Sequence, residues 1–209
     1  MNLTEKYKQY GFINFLKRLF FGSLSILGIR IDSWLVCTRY INVANQKAKS
    51  IGSEFNVKAL AYSDFENSNK FESNKLMSFK SRFDKKTFHA YGVFDDKHEL
   101  AYYCWISLSD FQFSNDDYKM DISENEGLLF DAFCFPEYRG NNLHNFMNIY
   151  RLKKLIEFKK SIALVILLNE NTPARKSQKK ARFVCEKQII TINIFGYKYN
   201  TLKNKIIDL

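Results

Sequence analysis

One stretch constrains the fold more than any other, and it runs over residues 127–158 as GLLFDAFCFPEYRGNNLHNFMNIYRLKKLIEF. An apolar run at 128–135 is typical of a strand, the polar segment 136–142 is typical of a turn, and the rest has helical spacing. A strand, a Gly/Asn-rich turn and a helix in this order can direct backbone N–H groups outward, and the helix N-terminus adds a partial positive charge. The stretch therefore predicts an anion-binding element with a phosphorylated ligand.

The charge balance also points to an anionic partner. The 209 residues include 32 Lys and Arg against 22 Asp and Glu, which gives a formal net charge of +10. A polyphosphate cofactor, a nucleic acid and a membrane surface are all candidates. Lysines spread over the whole surface explain the same charge equally well. The net charge by itself therefore does not identify the partner or the place where it binds.

Composition and cysteine spacing favour a globular protein of a reducing compartment. Hydrophobic residues make up 46% of the chain, prolines number only 2, and the length suits one main core with an added terminal piece. The cysteines form no C-x-x-C pair and the 3 histidines show no zinc-ligand spacing, so no metal is predicted. We expect a cytoplasmic protein with buried thiols at all 4 cysteines, Cys37, Cys104, Cys134 and Cys185.

The N-terminal segment raises the question of a membrane. Residues 4–21 have the spacing of an amphipathic helix, and basic residues interrupt the apolar run at 12–31. The uninterrupted part is about a dozen residues, short of the roughly 20 that a spanning helix needs. We expect the apolar face to pack on the domain, with peripheral membrane contact as the alternative. The predicted division is an extension over 1–45 and one domain over 46–209.

The order of predicted elements indicates the fold class. A mixed α/β (α+β) fold is expected, with a mixed, mostly antiparallel central sheet and helices on both faces. The connection from the strand at 128–135 through its helix to the strand at 162–168 predicts a parallel β-α-β pair. The other predicted elements are strands at 31–42 and 57–62, a helix at 65–83 capped by Ser63 and Asp64, a hairpin of 89–94 and 100–113, a helix at 174–181, and a final hairpin of 183–188 and 189–199.

Two blocks of residues carry a resemblance to a known family. Pro136-Glu137-Tyr138-Arg139-Gly140 followed by a helix resembles the GNAT superfamily of acyl-CoA-dependent N-acyltransferases, whose turn reads Arg-x-x-Gly-x-Gly/Ala. At the two later positions of that pattern this chain has Asn142 and His144. The second block follows the next strand, as in many members of the family, and matches at Asn171, Lys180 and Phe183, with Ala174 for the frequent Ser and Arg182 for a Gly.

The resemblance implies acetyl-CoA or another acyl-CoA as cosubstrate and a small-molecule amine as acceptor, for example an amino sugar nucleotide. It implies direct attack of the amine on the thioester in a ternary complex, with backbone N–H groups near 133–135 stabilising the thioester oxygen. It also implies that the strand carries a bulge. The residues expected to bind the cofactor are Phe133, Cys134, Phe135, Arg139, Gly140, Asn141, Asn142, Leu143, His144, Asn171 and Ala174.

Two residues are candidates for the general base. Asp131 is expected on the strand face of Leu129 and Phe133, close to the bulge, where burial would raise its pKa. The alternative for Asp131 is a side chain that bonds neighbouring N–H groups. His144 is the second candidate, and packing at the helix start is its alternative. The family's Tyr that protonates the leaving thiolate corresponds to Gln178, which cannot act as an acid.

Two other functions remain open on the sequence. A protein with the same fold could have lost its chemistry and act as a binding or interaction module, which the departures at Asn142, His144, Gln178 and Arg182 would support. Alternatively, the acceptor amine could belong to a nucleic acid or a membrane component. The aromatic residues of the hairpin at 100–113 are expected to fill a core, so no nucleic-acid module is predicted. The oligomeric state is not predicted.

Overall fold

The computed structural model describes residues 16, 20, 22–24, 26–41, 50–112 and 119–207. The helix predicted over 4–21, with its proposed membrane-facing side, lies outside the described residues apart from single positions. The elements in chain order are β1 (Ile29–Tyr40), β2 (Asn56–Ala59), α1 (Tyr62–Asn67), α2 (Ser73–Phe83), β3 (Phe88–Phe94), β4 (Leu100–Ser107), β5 (Phe111–Gln112), β6 (Lys119–Met120), β7 (Glu126–Cys134), a 3₁₀ turn (Pro136–Tyr138), α3 (Leu143–Glu157), β8 (Ile162–Leu168), α4 (Thr172–Lys180), β9 (Val184–Ile194) and β10 (Tyr197–Ile207).

The chain divides into two compact units. Unit 1 comprises Met1–Arg39, Phe111–Met120 and Leu164–Leu209, and unit 2 comprises Tyr40–Asp110 and Asp121–Ala163. The predicted fold class is confirmed, because the protein combines a large, mostly antiparallel sheet with helices. The division predicted at residue 45 stays a prediction.

Unit 2 contains four strands in the order β7-β4-β3-β2, all joined by antiparallel ladders. The predicted hairpin is confirmed for β3 and β4, but its second strand ends at Ser107 and does not continue to 113, because Phe111–Gln112 pairs with β6 in a two-stranded sheet. The hairpin connection is closed by Asp95, whose Oδ1 accepts hydrogen bonds from the N–H groups of Lys97 and Glu99 at 3.0 and 2.7 Å. An Asp that bonds backbone N–H groups two residues on is a common way to hold such a turn.

The helix predicted over 65–83 is broken in two. Helix α1 ends at Asn67, and α2 begins at Ser73 after Asn69 takes a left-handed conformation with φ of 52°. Asn tolerates that backbone better than most residues, and this allows the chain to turn. The predicted cap is also wrong, because Asp64 lies inside the first turn of α1 and its carboxylate accepts a hydrogen bond from Ala61 N at 2.8 Å.

Aromatic side chains fill the space between α1, α2 and β4. Phe65 is fully buried and stacks on Trp105 with ring centroids 5.8 Å apart. The ring centroid of Phe79 lies 4.3 Å from that of Phe65 and 5.5 Å from that of Trp105. The ring centroid of Tyr103 lies 5.6 Å from those of both phenylalanines. Tyr103 and Trp105 of the hairpin therefore belong to a core, as the sequence predicts for them, and each buries a large apolar area there.

Helix α3 connects β7 to β8. The N–H groups of Ser161 and Ile162 both donate to Asn125 O, at 2.9 and 3.0 Å, which places the start of β8 beside the start of β7. This is the parallel arrangement expected of a β-α-β unit. Gly127 permits the helix to approach, because a Cβ at this position would overlap the buried side chain of Leu155.

In unit 1, β9 pairs with both β1 and β10 in antiparallel ladders. The final hairpin exists, but its predicted division at 188/189 is wrong: β9 runs without interruption over Val184–Ile194. The chain turns at Phe195 and Gly196, where φ is 49° and 91°. The turn signal was the glycine, whose backbone freedom suits a tight connection.

The expectation of four free thiols is wrong for one pair. Cys37 of β1 and Cys185 of β9 are partners in the ladder, their Cα atoms are 3.8 Å apart, and they form a disulfide. The two residues are 148 positions apart in sequence, so spacing could not reveal the pair. Cys104 is a buried free thiol and Cys134 a half-buried one. Within the described residues, no helix is long and apolar enough to cross a membrane.

Candidate active site

Strand β7 carries the bulge that the resemblance implies. Tyr103 of β4 pairs with Phe133 and Trp105 pairs with Phe130, so one residue of β4 opposes two of β7, Asp131 and Ala132. Asp131 takes a left-handed backbone with φ of 42°. A bulge of this kind interrupts the ladder and leaves backbone groups unpaired where a ligand can reach them.

The bulge directs Asp131 toward α2. Its Oδ2 accepts hydrogen bonds from Lys75 Nζ at 2.9 Å and Arg82 Nη1 at 2.5 Å, and the hydroxyl of Tyr103 lies 3.5 Å from Oδ1. The guanidinium of Arg82 also lies over the ring of Phe130. Asp131 thus shares a face with Phe130 and not with Leu129, because the extra residue shifts the alternation of the strand.

The expected effect on the pKa of Asp131 is also wrong. Burial by itself would raise the pKa of this carboxyl, but the charges of Arg82 and Lys75 and their hydrogen bonds lower it by more. The net result is a pKa below the ordinary value, because opposite charges within hydrogen-bonding distance favour the ionised form. Asp131 is a carboxylate whose strongest interactions are already with two cations.

The three residues after the bulge differ in the direction of their backbone N–H groups. The N–H of Phe135 donates to Ala101 O of the β4 segment at 3.1 Å, so it is not free for a thioester oxygen. Successive N–H groups of a strand point to opposite edges, which directs the N–H of Cys134 away from β4. Burial raises the pKa of the Cys134 thiol, partly offset by Arg139, so the side chain is neutral.

The turn after β7 is polar and exposed. Gly140 has φ of 95° and Asn142 has φ of 59°, so both take backbone conformations that suit Gly and Asn. The Nε of Arg139 donates to Cys134 O at 3.4 Å, and the Nδ2 of Asn141 donates to Tyr138 O at 3.1 Å. Asn142 therefore meets the backbone requirement of the glycine that the family pattern has at this position.

The N-terminus of α3 has open hydrogen-bond donors. Asn142 is the N-cap residue, but its side chain makes no capping hydrogen bond. Among the described residues, no group accepts a hydrogen bond from the N–H of Leu143, His144 or Asn145. A helix end with free N–H groups and a partial positive charge is suited to an anion.

His144 is half-buried in the first turn of α3 and contacts β4. Its Nδ1 lies 2.9 Å from the hydroxyl of Tyr102. Burial and the charge of Arg151 lower the pKa of His144 to about 4, and burial raises the pKa of Tyr102. The buried hydroxyl of Tyr102 has no other hydrogen-bond acceptor within the described residues, which favours its donation to Nδ1 and therefore a neutral His144 with its proton on Nε2.

The positive charge near His144 comes from a buried residue of the same helix. Arg151 is 2% exposed and donates to Asn148 Oδ1 through Nη2, and its Nε has no partner among the described residues. Burying a charge without a counterion is costly, and it further disfavours a second positive charge on His144. The imidazole therefore stays neutral.

The second block lies in unit 1 and has a structural role at its start. The Oδ1 of Asn171 accepts a hydrogen bond from Ala174 N at 3.2 Å, so Asn171 caps α4 and uses the N–H of Ala174. Gln178 is buried, and its Oε1 has no partner among the described residues. Asn171 and Ala174 stay predicted cofactor contacts.

A cleft of about 310 Å³ lies elsewhere in unit 2. None of the predicted site residues lines it. The Lys58–Asp64 ion pair is part of its wall, with Nζ and Oδ1 2.7 Å apart. A pair of this kind at a surface contributes little to stability.

Sequence reasoning missed Lys75, Arg82 and Tyr102. Lys75 and Arg82 are seven residues apart in α2, so they lie on one helix face, and this spacing was a usable signal. What it could not show was the carboxylate between them. Tyr102 was read only as part of an aromatic core, although a buried phenol needs a hydrogen-bond partner.

With the bulge, the turn and the helix start described, comparison with solved structures identifies the fold. The protein has the fold of the GNAT acetyltransferases. A tandem GNAT protein from the clavulanic acid biosynthesis pathway matches with a TM-score of 0.59 and 10% identity over 86% of this chain and 57% of that one. A protein from Novosphingobium aromaticivorans, described as a GNAT-family acetyltransferase, matches with a TM-score of 0.51 and 13% identity over 79% of this chain and 66% of that one.

A further similar structure is a Drosophila protein, with a TM-score of 0.58 and 13% identity over 88% of this chain and 58% of that one. The chain thus spans less than two thirds of the length of these three structures. No protein-family model and no curated protein matches the sequence. Within the described ranges, no group of three or more His, Cys, Asp or Glu side chains could hold a metal ion.

Proposed function

We propose that the protein is an acyl-CoA-dependent N-acyltransferase that transfers an acyl group, acetyl by default, to the amine of a small molecule. The observation that carries the proposal is the uncapped start of α3, with three open N–H groups, directly after a bulged strand and an exposed turn. Such a helix start binds phosphate groups, and the net charge of +10 favours an anionic cosubstrate. The GNAT fold supports the same chemistry.

The turn and α3 would hold the diphosphate of acyl-CoA. Leu143, His144 and Asn145 offer their backbone N–H groups, and the exposed Arg139 offers a positive charge. The assigned tautomer of His144 adds an Nε2–H donor in the first turn of the helix. The imidazole is neutral and can therefore donate to a phosphate oxygen without needing a proton from solvent.

The bulged part of β7 would hold the acyl and pantetheine end. Acyl-CoA would supply an activated thioester. The acceptor amine attacks its carbonyl carbon and forms a C–N bond, the C–S bond breaks, the nitrogen loses a proton, and the released CoA thiolate takes a proton from solvent. The N–H of Cys134 is directed away from β4 and is our candidate donor to the thioester oxygen, in place of Phe135. Phe133 is exposed on the α2 side and would border the acceptor.

Neither predicted base is well suited to remove the amine proton. Asp131 has a lowered pKa and is bound to two cations, which weakens its basicity. His144 uses its Nδ1 lone pair to accept from Tyr102. We therefore propose that Asp131 positions Lys75 and Arg82, that His144 binds the cofactor, and that water takes the proton of the amine.

The proposed cosubstrate also suggests the cellular compartment of the protein. We infer a cytoplasmic protein, because the proposed cosubstrate is an intracellular metabolite. The Cys37–Cys185 disulfide argues in the other direction, since disulfides persist mainly in oxidising compartments. A count of free thiols with and without reductant tests that bond.

The test is titration calorimetry with acetyl-CoA on the wild type and an isosteric charge variant, Asn142→Asp. Asp can cap a helix and take a left-handed backbone, so the fold is retained, but the added carboxylate repels a diphosphate. The matched control is Asn69→Asp, because Asn69 is exposed and has φ of 52° in the α1–α2 connection. We expect at least about tenfold weaker binding for Asn142→Asp and wild-type affinity for Asn69→Asp, since one charge interaction of about 1.4 kcal/mol is a factor of ten.

A binding module without catalysis is the second candidate. The buried Gln178 favours it, because the family has its thiolate-protonating Tyr at the corresponding position and an amide cannot act as an acid. CoA release from acetyl-CoA in the presence of an amine panel separates the two functions. Binding of acetyl-CoA with no release by any amine would favour the module, and no binding at all would refute both.

A further inference from the structure

The charges beside the bulge do not balance. Lys75 Nζ and Arg82 Nη1 both contact the same oxygen of Asp131, at 2.9 and 2.5 Å, so two cations share one carboxylate. Helix α2 adds no acidic residue of its own, since its charged residues are Lys75, Lys80 and Arg82. The cluster therefore carries a local surplus of one positive charge.

Arg82 is the fixed member of the cluster. Its guanidinium lies 5.4, 5.1 and 5.0 Å from the ring centroids of Phe79, Trp105 and Phe130. Contacts with three aromatic rings and one carboxylate hold the side chain in a single position. A donor group that is already ordered loses little entropy when a ligand binds, which favours recognition.

Lys75 is the accessible member. Its side chain is 38% exposed, against 18% for Arg82, and its ammonium has three donors of which one contacts Asp131. Phe133, which is 36% exposed, follows Asp131 by two residues on the same face of β7, and its ring lies 5.9 Å from that of Tyr103. The surplus charge thus lies at the border of the proposed acceptor side of the strand.

The cluster also determines what would not bind. A carboxylate in a pocket can attract an ammonium group, but the charge of Asp131 is already offset by Lys75 and Arg82 at Oδ2, and the hydroxyl of Tyr103 lies 3.5 Å from Oδ1. A polycationic amine brought to this place would meet two fixed positive charges, and like charges disfavour binding.

From this geometry we propose that Lys75, with Arg82 behind it, binds an anionic group of the acceptor, so that the substrate is an amine that also carries a carboxylate or a phosphate. This inference rests on the proposed function and specifies its substrate class. Asp131 is then a positioning residue, because it acts on the substrate only through the two cations that it holds.

The experiment uses pairs of amines that differ by one anionic group, at saturating acetyl-CoA, with CoA thiol release as the readout. Glycine against glycinamide tests the carboxylate, glucosamine 6-phosphate against glucosamine tests the phosphate, and spermidine represents polycations. We expect kcat/KM at least about tenfold higher for the anionic member of one pair, because only that member can form a charge-assisted hydrogen bond with Lys75. The pair that responds identifies the anion.

The variant is Lys75→Gln, and the matched control is Lys80→Gln. Lys80 is an exposed residue of the same helix. For the preferred anionic amine we expect Lys75→Gln to raise KM about tenfold with kcat nearly unchanged, and for its uncharged counterpart we expect no change in KM. The Lys80→Gln variant should behave as the wild type with both, which excludes a general effect of removing one charge from α2.

The outcomes separate this inference from the proposed function. Equal turnover of charged and uncharged partners, a preference for spermidine, or equal effects of the two variants would overturn the inference while the enzyme activity stands. If no amine releases CoA, the thermal shift of each amine is compared on the acetyl-CoA-saturated protein. Stabilisation by the anionic amine that is lost only in Lys75→Gln supports the anion site although the proposed reaction is refuted, and its absence refutes the site as well.

Discussion

The pH dependence of stability follows from the position of His144, which is removed from solvent near the charge of Arg151. Burial and the charge of Arg151 lower the pKa of His144 from 6.5 to about 4 in the folded protein, while the unfolded chain keeps the ordinary value. Between these two values the unfolded state binds a proton that the folded state does not. The free energy of unfolding therefore falls as the pH falls from about 6.5 toward 4, and it is fully retained above 6.5.

The size of the effect can be worked out from the same two values. At 1.36 kcal/mol per pKa unit, the loss approaches about 3 kcal/mol below pH 4 and is about 2 kcal/mol between pH 7 and pH 5. The half-buried position of His144 makes these values upper limits. Stabilities of small domains are about 5–15 kcal/mol, so a change of this size is readily measured.

The assay is urea unfolding at pH 7, 6 and 5 for the wild type and His144→Gln. The comparison within each protein across pH removes the direct cost of the substitution, and the contribution of His89, whose pKa is also lowered by burial, is common to both. We expect the wild type to lose more stability than the variant between pH 7 and pH 5, by up to about 2 kcal/mol. If the wild type and the variant lose the same free energy of unfolding, His144 is not held neutral by the folded protein. The assigned tautomer would then also be refuted.

The remaining predictions concern glycines and thiols. Gly127→Ala should lower the free energy of unfolding by about 1–3 kcal/mol, because the new Cβ overlaps Leu155 in a packed core; a urea midpoint equal to that of the wild type would contradict the packing. Gly140→Ala should cost about 1–2 kcal/mol from its φ of 95° alone, since no atom lies within 4 Å of the added Cβ, and an unchanged midpoint would mean that the turn has another conformation. Thiol titration of the denatured protein should count two thiols without reductant and four with it, because only Cys37 and Cys185 are bonded; four in both cases would refute the disulfide.

Part of the fold could be read directly from local patterns. The strand, turn and helix of residues 127–158 were predicted with boundaries close to those of β7 and α3, because a continuous apolar run and helical spacing are strong signals in one chain segment. The β3–β4 hairpin was predictable for the same reason. The final hairpin was placed wrongly, because β-forming residues continue through 188/189 and only Gly196 marks the turn.

The candidate site was predictable only where it is made of backbone. A Gly/Asn-rich turn before a helix already contains the donors of an anion site, so Gly140 and Asn142 could be located from the sequence. The role of Asp131 could not, because its pKa depends on Lys75 and Arg82, which are 56 and 49 residues away. Burial alone predicts a raised pKa, and the two cations reverse the sign.

The sequence by itself thus determined the strand, turn and helix of residues 127–158, the proposal that this turn binds an anion, and the resemblance to the GNAT family, since each of these depends on residues close together in the chain. The tertiary structure decided which charges meet. It turned Asp131 toward α2 through one extra residue in β7, placed Tyr102 against His144, and joined Cys37 to Cys185. Electrostatic and covalent partners are determined by their distance in space. The periodicity of residues along one segment of the sequence gives no information about that distance.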